Sequence, residues 1–133
     1  MRLLIADSSS LILSQKSGLF DCTKKIFTWI IPAAVYYEAI ENGKAKSSPD
    51  AYILEQYLQE KYIQLAAVQN ITVVRRIMLE FGIAQGETEA IVLFQEQKAE
   101  HVIVDDHKAM IACKALKIPF ITALTLVIKC VKE

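Results

Sequence analysis

The chain has 133 residues, 15 basic and 15 acidic side chains, and a hydrophobic fraction of 53%. This length suffices for a domain with its own core, and we expect residues 1–133 to form a single domain. The zero net charge argues against a domain that grips long duplex DNA, which would usually be basic, and 4 Gly and 3 Pro argue against a disordered chain.

Short apolar runs alternate with helical patterns through the first half of the chain. Asp7 and the three serines after it favour a helix start, and Gly18 favours a helix end. The predicted elements are, in order, a strand at 3–6, helices at 7–18 and 19–25, a strand at 26–31, a helix from Pro32 to a stop at Asn42-Gly43, a loop at 44–49 and a helix at 50–61.

The second half continues the same alternation. Asn70 is predicted to cap a helix that Gly82 ends, and Gly86-Glu87 opens the next helix. The predicted elements are a strand at 62–68, a helix at 73–81, the helix that begins at Gly86-Glu87, a strand at 101–104, a helix at 107–117, a strand at 118–121 and a helix at 123–131. This order predicts an α/β fold with a parallel sheet covered on both faces.

The three cysteines, Cys22, Cys113 and Cys130, lie far apart and form no CxxC pair. We therefore expect buried thiols in a reducing cytoplasm, and neither structural zinc nor a disulfide. The opening apolar run stops at Asp7, too early for a signal peptide. The longest apolar stretch, 26–40, falls short of the ~20 residues that span a bilayer. A soluble, cytoplasmic protein without membrane contacts is expected.

Acidic residues directly follow two of the predicted strands. Asp7 follows the first, and Asp105-Asp106 follow the strand at 101–104. Sites in parallel α/β sheets form at the carboxyl ends of the strands, where a substrate or metal could reach these carboxylates. Helix capping explains each Asp taken alone, but two acidic positions at one sheet edge favour a site.

Three glutamates are further candidates. Glu38 lies about two turns into the helix after Pro32, and Glu87 and Glu89 lie in the first turn of a later helix. A solvated surface or the helix dipole also explains each of them. If Asp7, Glu38, Glu89 and Asp105 converge, charges ~4 Å apart repel by ~4 kcal/mol at a dielectric of 20. A cation must offset this repulsion, and carboxylates suit Mg²⁺ or Mn²⁺.

Four segments in order resemble the PIN-domain family. They are LLIADSSSLI, IIPAAVYYEAI, GETEAIVLF and VIVDDHKAMIACKALKIPFIT, which together extend from Leu3 to Thr122. The resemblance implies a PIN-like three-layer α/β/α fold around a central parallel sheet, with an acidic pocket. It also implies a Mg²⁺- or Mn²⁺-dependent endoribonuclease acting on RNA. Many small members are toxins of toxin–antitoxin pairs, so an antitoxin protein is an implied partner.

The resemblance also assigns roles by position. Asp7, Glu38, Glu89 and Asp105 correspond to the catalytic and metal-binding acids, with Asp106 as a further metal ligand. The supporting positions are Ser9, Glu87 and Thr122. Whether Glu87 or Glu89 faces the metal is left open by the sequence.

Other functions also fit the sequence. Met110 and Thr122-Ala123 replace an Arg and a Gly-Thr common in the subfamily with the GExEAI segment, which favours a PIN-like module that binds RNA or protein without cutting. A receiver domain is disfavoured, because no Asp follows Asp106 to serve as its phospho-acceptor. The apolar helix at the end of the chain either closes the core or forms a homodimer contact. Arg75-Arg76, together with Lys24-Lys25, could contact an RNA backbone, although paired basic residues on helices more often form a solvated face.

Overall fold

A four-stranded parallel sheet lies at the centre of the computed structural model, which describes residues 2–132 and, for Lys132, the backbone alone. The sheet order is β3-β2-β1-β4, and the strands are β1 (Arg2–Ala6), β2 (Phe27–Ile31), β3 (Ile63–Leu65) and β4 (His101–Ile103). Ile5 of β1 pairs with Ile30 on one side and Val102 on the other. The predicted α/β fold with a parallel sheet is confirmed.

Helices cover both faces of this sheet. They are α1 (Ser8–Lys16), α2 (Leu19–Thr23), α3 (Ala33–Tyr36), a π-helical segment (Tyr37–Glu41), α4 (Asn42–Ala45), α5 (Pro49–Gln59), α6 (Ile71–Phe81), α7 (Gln85–Gln97), α8 (His107–Ala115) and α9 (Ala123–Lys132).

Two apolar clusters, one on each face, hold the layers together. Because side chains alternate along a strand, Leu4 and Trp29 point to one face while Ile5 and Ile30 point to the other. The first cluster joins the sheet to α1, α2, α5 and α9, and the second joins it to α6, α7 and α8. The three layers follow from this division, since strands buried on both faces need helices on both sides.

The predicted helix ends agree with the structure at several positions. Asp7 caps α1 by accepting a hydrogen bond from the Ser10 N–H, and Asn70 caps α6 by accepting one from Val73. Gly18 and Gly82 have φ values of +80° and +66°, the left-handed conformation that ends a helix.

The predicted helix stop at Asn42-Gly43 is wrong. The helical segment that begins at Ala33 continues through the π turn and α4 to Ala45, so only part of 44–49 is a loop. Gly43 serves packing instead, because a Cβ there would lie 2.6 Å from the Ala51 Cβ. The absent side chain lets α4 and α5 approach each other closely.

Two predicted strands are shorter in the structure. The strand expected at 62–68 is limited to Ile63–Leu65, and the strand expected at 118–121 is reduced to a single bridge between Ile103 and Ile121. This bridge still fixes the chain beside β4, since the Val104 N–H donates to the Ile121 carbonyl over 2.9 Å.

The expectation of three buried thiols is wrong for two of the cysteines. Cys22 on α2 and Cys130 on α9 form a disulfide, whereas Cys113 is free and buried. The two helices pack together and place the paired Cα atoms 6.6 Å apart. A separation of 108 residues gives no sign of this pairing in the sequence.

The last helix, α9, is only partly covered by the core. Leu126 is buried, but Leu124 and Val131 are 71% and 80% exposed. Among residues 2–132, no helix combines the length and apolar character needed to cross a membrane.

Candidate active site

The strand order creates a crevice at the carboxyl edge of the sheet. From β1 the chain moves outward to β2 and β3, then returns to place β4 on the opposite side of β1. The connections after β1 and β4 therefore leave in different directions, and ligands bind at such switch points. Asp7 lies directly after β1, and Asp105-Asp106 follow β4 closely. A cleft of about 240 Å³ opens here, lined by Asp7, Ser8, Ser9, Glu38, Ala84, Glu87 and Asp106.

Asp7 is the most enclosed acid of this cleft, with 2% of its surface exposed. Its Oδ1 accepts hydrogen bonds from the Ser10 N–H at 2.9 Å and from the Ser9 hydroxyl at 3.4 Å. Its Oδ2 is buried and has no hydrogen-bond partner within residues 2–132. Burial, and to a lesser degree repulsion from Asp105, raises the pKa of the Asp7 carboxyl. A buried carboxylate oxygen without a donor is costly to ionise unless a cation approaches it.

Asp105 is connected to Asp7 through Ser10. The Ser10 hydroxyl donates to Asp105 Oδ2 over 3.1 Å, while its backbone N–H binds Asp7. The other oxygen of Asp105 accepts from the Ala123 N–H at the start of α9, also over 3.1 Å. Ser10 is itself fully buried, so it holds the two acids in a fixed relation.

Glu87 and Asp106 approach the cleft from α7 and α8. Burial first, and then the negative charge of Asp106, raises the pKa of Glu87 to about 7. Glu87 also accepts a hydrogen bond from the Ala84 N–H, which places it in the first turn of α7. Asp106 caps α8 by accepting from the Ala109 N–H over 3.1 Å. The cleft thus crowds carboxylates that favour sharing a proton or a cation.

Glu38 is exposed and comes from the π-helical segment. Its Oε2 accepts a 2.7 Å hydrogen bond from the Ser8 hydroxyl. The side chain also lies against Gly86 of α7, where a Cβ would be 2.8 Å from Glu38 Oε1. Gly86 therefore allows Glu38 to reach the cleft beside Glu87.

The cleft is lined by four of the predicted acids, Asp7, Glu38, Glu87 and Asp106, whereas Asp105 is joined to Asp7 through Ser10 and does not line it. Glu89 lies outside the cleft. Its Oε1 accepts from the Ala34 N–H over 3.1 Å, and its Oε2 accepts from the Gln85 amide over 2.8 Å. It lines a separate cavity of about 470 Å³ on the other side of the α7 start. Because Glu87 and Glu89 are two residues apart on one helix, their side chains point in different directions. Glu87 is the one that lines the cleft with Asp7 and Asp106.

The polar side chains that contact the acids differ in part from those that the sequence indicates. Ser9 contacts Asp7 as expected, whereas Thr122 bonds to Thr125 at the start of α9. Sequence reasoning missed Ser8 and Ser10, which hold Glu38 and Asp105. The run of three serines after Asp7 is the available signal, because a helix that starts there turns successive hydroxyls toward different neighbours.

The donor set of the cleft fits a hard divalent cation, since all of its side-chain ligands are oxygens. Within residues 2–132, no three His, Cys, Asp or Glu side chains are arranged closely enough to hold a metal together. Mg²⁺ commonly takes only one or two carboxylates and keeps several waters. The unpartnered Asp7 Oδ2 is the atom that such an ion would satisfy.

Comparison with protein families gives one clear result. The family model DUF3368, described as a PIN domain, matches residues 3–133. PIN domains form a superfamily of nucleases. A comparison with curated proteins finds no match.

Two solved structures share the fold. PAE2754 from Pyrobaculum aerophilum has a TM-score of 0.69 at 14% identity, with 99% of this chain and 98% of that chain covered. A PilT N-terminus domain protein, SSO1118 from the archaeon Sulfolobus solfataricus P2, has a TM-score of 0.60 at 18% identity, covering 100% of this chain and 96% of that chain. At these identities the likeness concerns the fold alone.

Proposed function

This chain belongs to the PIN-domain family, and from that premise we propose that it is a Mg²⁺- or Mn²⁺-dependent endoribonuclease. The observation that carries the proposal is the buried Asp7 carboxylate, whose Oδ2 has no partner within residues 2–132, in a cleft shared with Glu38, Glu87 and Asp106. A cleft so rich in carboxylates repels a phosphodiester unless a cation lies between them.

Asp7 is the direct ligand in this proposal, because its unpartnered oxygen gains most from a cation. Glu38 and Asp106 line the same cleft and would help to hold a hydrated ion, and Asp105, joined to Asp7 through Ser10, would support them. Glu87 would take the place that the family resemblance gave to Glu89. When bound, the ion lowers the pKa of a coordinated water and offsets the charge of the phosphate. The Glu87 carboxylate, which lines the same cleft as Asp7, would take up the proton that the attacking water releases.

The test is cleavage of a labelled single-stranded RNA by the purified protein in Mg²⁺, in Mn²⁺ and in EDTA. We expect cleavage only with metal, and a loss of at least about a hundredfold in Asp7→Asn. Asp50→Asn is the matched control, since the Asp50 pair with the exposed Lys16 lies on the surface and contributes little. Cleavage that persists in EDTA, or an Asp7→Asn variant as active as the wild type, would contradict the proposal.

A second candidate is a PIN-like module that binds RNA or protein without cutting. The lack of a three-ligand cluster within residues 2–132 favours it. Met110, which replaces the Arg common in the subfamily, packs against the apolar core and adds no charge to the cleft. Binding of RNA with no cleavage in either metal would favour this candidate.

The family relationship also supports a role as the toxin of a toxin–antitoxin pair, with an antitoxin protein as partner. Expression of the wild type in a bacterial host should then arrest growth, whereas Asp7→Asn at equal abundance should not. Equal growth of both cultures would argue against the toxin role and leave the nuclease proposal to the cleavage assay.

A further inference from the structure

The larger cavity that contains Glu89 lies at the same sheet edge as the acidic cleft, beyond the ends of β2 and β3. Its volume of about 470 Å³ falls within the range of small-molecule sites. Apolar and polar side chains share its walls, among them Val68, Val74, Met78, Arg75, Gln85 and Glu89. Unlike the acidic cleft, it therefore offers apolar side chains together with a cation and fixed acceptors.

The two cavities are separated only by the first turn of α7. Gln85 lines the larger cavity and Glu87 lines the acidic cleft, with Gly86 between them. Between Gln85 and Glu87, α7 rises by ~3 Å along its axis. A single strand that crosses this turn with one phosphate in the acidic cleft would carry an adjoining nucleotide into the larger cavity.

The polar groups of the larger cavity are held in place by their own contacts. Glu89 is fixed by the Ala34 N–H and the Gln85 amide, and this leaves further acceptor sites on both carboxylate oxygens. Acceptors in a fixed position complement the exocyclic amino groups of cytosine, adenine and guanine, and they repel the O4 carbonyl of uracil. The guanidinium of Arg75 carries only donors, so it complements the N3 acceptor of cytosine and opposes the N3–H donor of uracil.

We propose that this cavity binds one unstacked, amino-bearing base of single-stranded RNA, next to the phosphate in the acidic cleft. The proposal rests on the endoribonuclease function for the position of that phosphate. Glu89 and Arg75 are then specificity-determining residues. The apolar wall of Val68, Val74 and Met78 supports the ring of the base, and the carboxylate of Glu89 receives its amino group.

The test compares binding of two octaribonucleotides, all-uridine and the same strand with one central cytidine, in Ca²⁺, so that cleavage dependent on Mg²⁺ or Mn²⁺ does not consume the strands. These bases share a ring size and differ in the groups at C4 and N3. We expect the cytidine strand to bind about tenfold more tightly to the wild type. Glu89→Gln and Arg75→Ala should reduce this ratio towards one. Arg76→Ala is the matched control, because Arg76 is an exposed neighbour on α6 outside the cavity lining, and it should keep the ratio.

The outcomes separate this inference from the nuclease proposal. A cytidine preference that Arg75→Ala abolishes, in a protein that cuts no RNA, would support base binding and reject the nuclease. Cleavage without any difference between the two octamers would keep the nuclease and overturn base binding. Equal weakening of both octamers by Arg75→Ala and Arg76→Ala would also overturn it, since the arginines would then act by charge alone. A cavity that instead receives a protein segment would leave both octamers bound equally in every variant.

Discussion

The carboxylate of Asp7 illustrates how a site residue can oppose stability. Without metal, burial raises its pKa above the value of 3.8 expected when it is exposed, so the folded protein loses stability as the pH rises above that value. The enclosed position that makes Asp7 a good cation ligand is therefore a cost to the metal-free protein.

Asp7→Asn should stabilise the metal-free protein at pH 7 by on the order of 1 kcal/mol. Asn removes the buried charge but still caps α1. The gain should shrink as the pH falls towards 4, because the raised pKa of Asp7 favours its neutral form in the folded protein. Urea denaturation in EDTA at both pH values measures this. A variant less stable than the wild type at pH 7 would show that the Asp7 charge is already compensated within the protein.

The contribution of Glu87 to stability should change over a different pH range from that of Asp7. Its pKa is about 7 in the folded protein against 4.5 when unperturbed, so the folded state binds the proton more tightly. In EDTA, the wild type should lose stability relative to Glu87→Gln as the pH rises from 4.5 to about 7 and change little above that. Thermal melts across this range measure the difference. Glu80→Gln, an exposed site on α6, is the control and should follow the wild type. Parallel curves for wild type and Glu87→Gln would mean that Glu87 titrates normally.

The sequence identifies most of the acidic residues of the candidate site, but it cannot decide which of two neighbouring glutamates faces the cleft. Asp7, Asp105 and Asp106 follow predicted strands, so their position at one edge is foreseeable. The choice between Glu87 and Glu89 depends on the rotation of α7 against the sheet, which tertiary packing determines. The hydrogen bonds of Ser10 join residues 95 positions apart, and no local pattern encodes them.

Among the elements, the contact between the π-helical segment and α7 brings Glu38 to the cleft. A methyl group at position 86 would press on the Glu38 carboxylate, which lies at the end of a flexible side chain. Gly86→Ala should therefore leave the fold intact and reduce metal-dependent cleavage by about tenfold or more. Gly43→Ala is the contrasting variant, because its new Cβ meets the Ala51 Cβ at 2.6 Å and should destabilise the protein by about 1–3 kcal/mol. Unchanged cleavage by a well-folded Gly86→Ala would remove Glu38 from the proposed site.

The disulfide between α2 and α9 has a measurable effect of its own. It closes a loop across 108 residues of sequence, and bridges over long loops contribute typically about 2–4 kcal/mol. Cys22→Ser should lower the free energy of unfolding by this amount. A dithiol reductant should destabilise the wild type equally and leave Cys22→Ser unchanged. If the reductant has no effect on the wild type, the bridge does not form in solution.

Elements built from local patterns are well predicted, whereas those that depend on packing are not. The strands at the sheet centre and the capped helix α6 carry clear apolar periodicity and end signals. The stop expected at Gly43 fails because the glycine provides a close approach to Ala51 instead of a turn. The strand expected at 118–121 is only a bridge, since its neighbours in space decide how many residues pair.

In the molecule as a whole, a neutral net charge is combined with a local cluster of acidic side chains in the cleft. With 15 basic and 15 acidic residues, the surface provides little general attraction for RNA. In the proposed function, RNA binding would therefore depend on a cation between the cleft and one phosphate, with few further phosphate contacts. The sequence alone predicts the fold and this charge balance, but the two cavities at the sheet edge arise from the folded arrangement. Residues of α1, the π-helical segment and α7 line the acidic cleft, and residues of α3, α6 and α7 line the larger cavity.

Calorimetric titration with Mn²⁺ tests the central claim most directly, with wild type, Asp7→Asn and the surface control Asp50→Asn compared at pH 7.5. We predict saturable binding by the wild type and the control, and a loss of at least about tenfold in affinity in Asp7→Asn. Equal binding by all three proteins, or no binding by a folded wild type at millimolar Mn²⁺, would contradict a metal site built around Asp7.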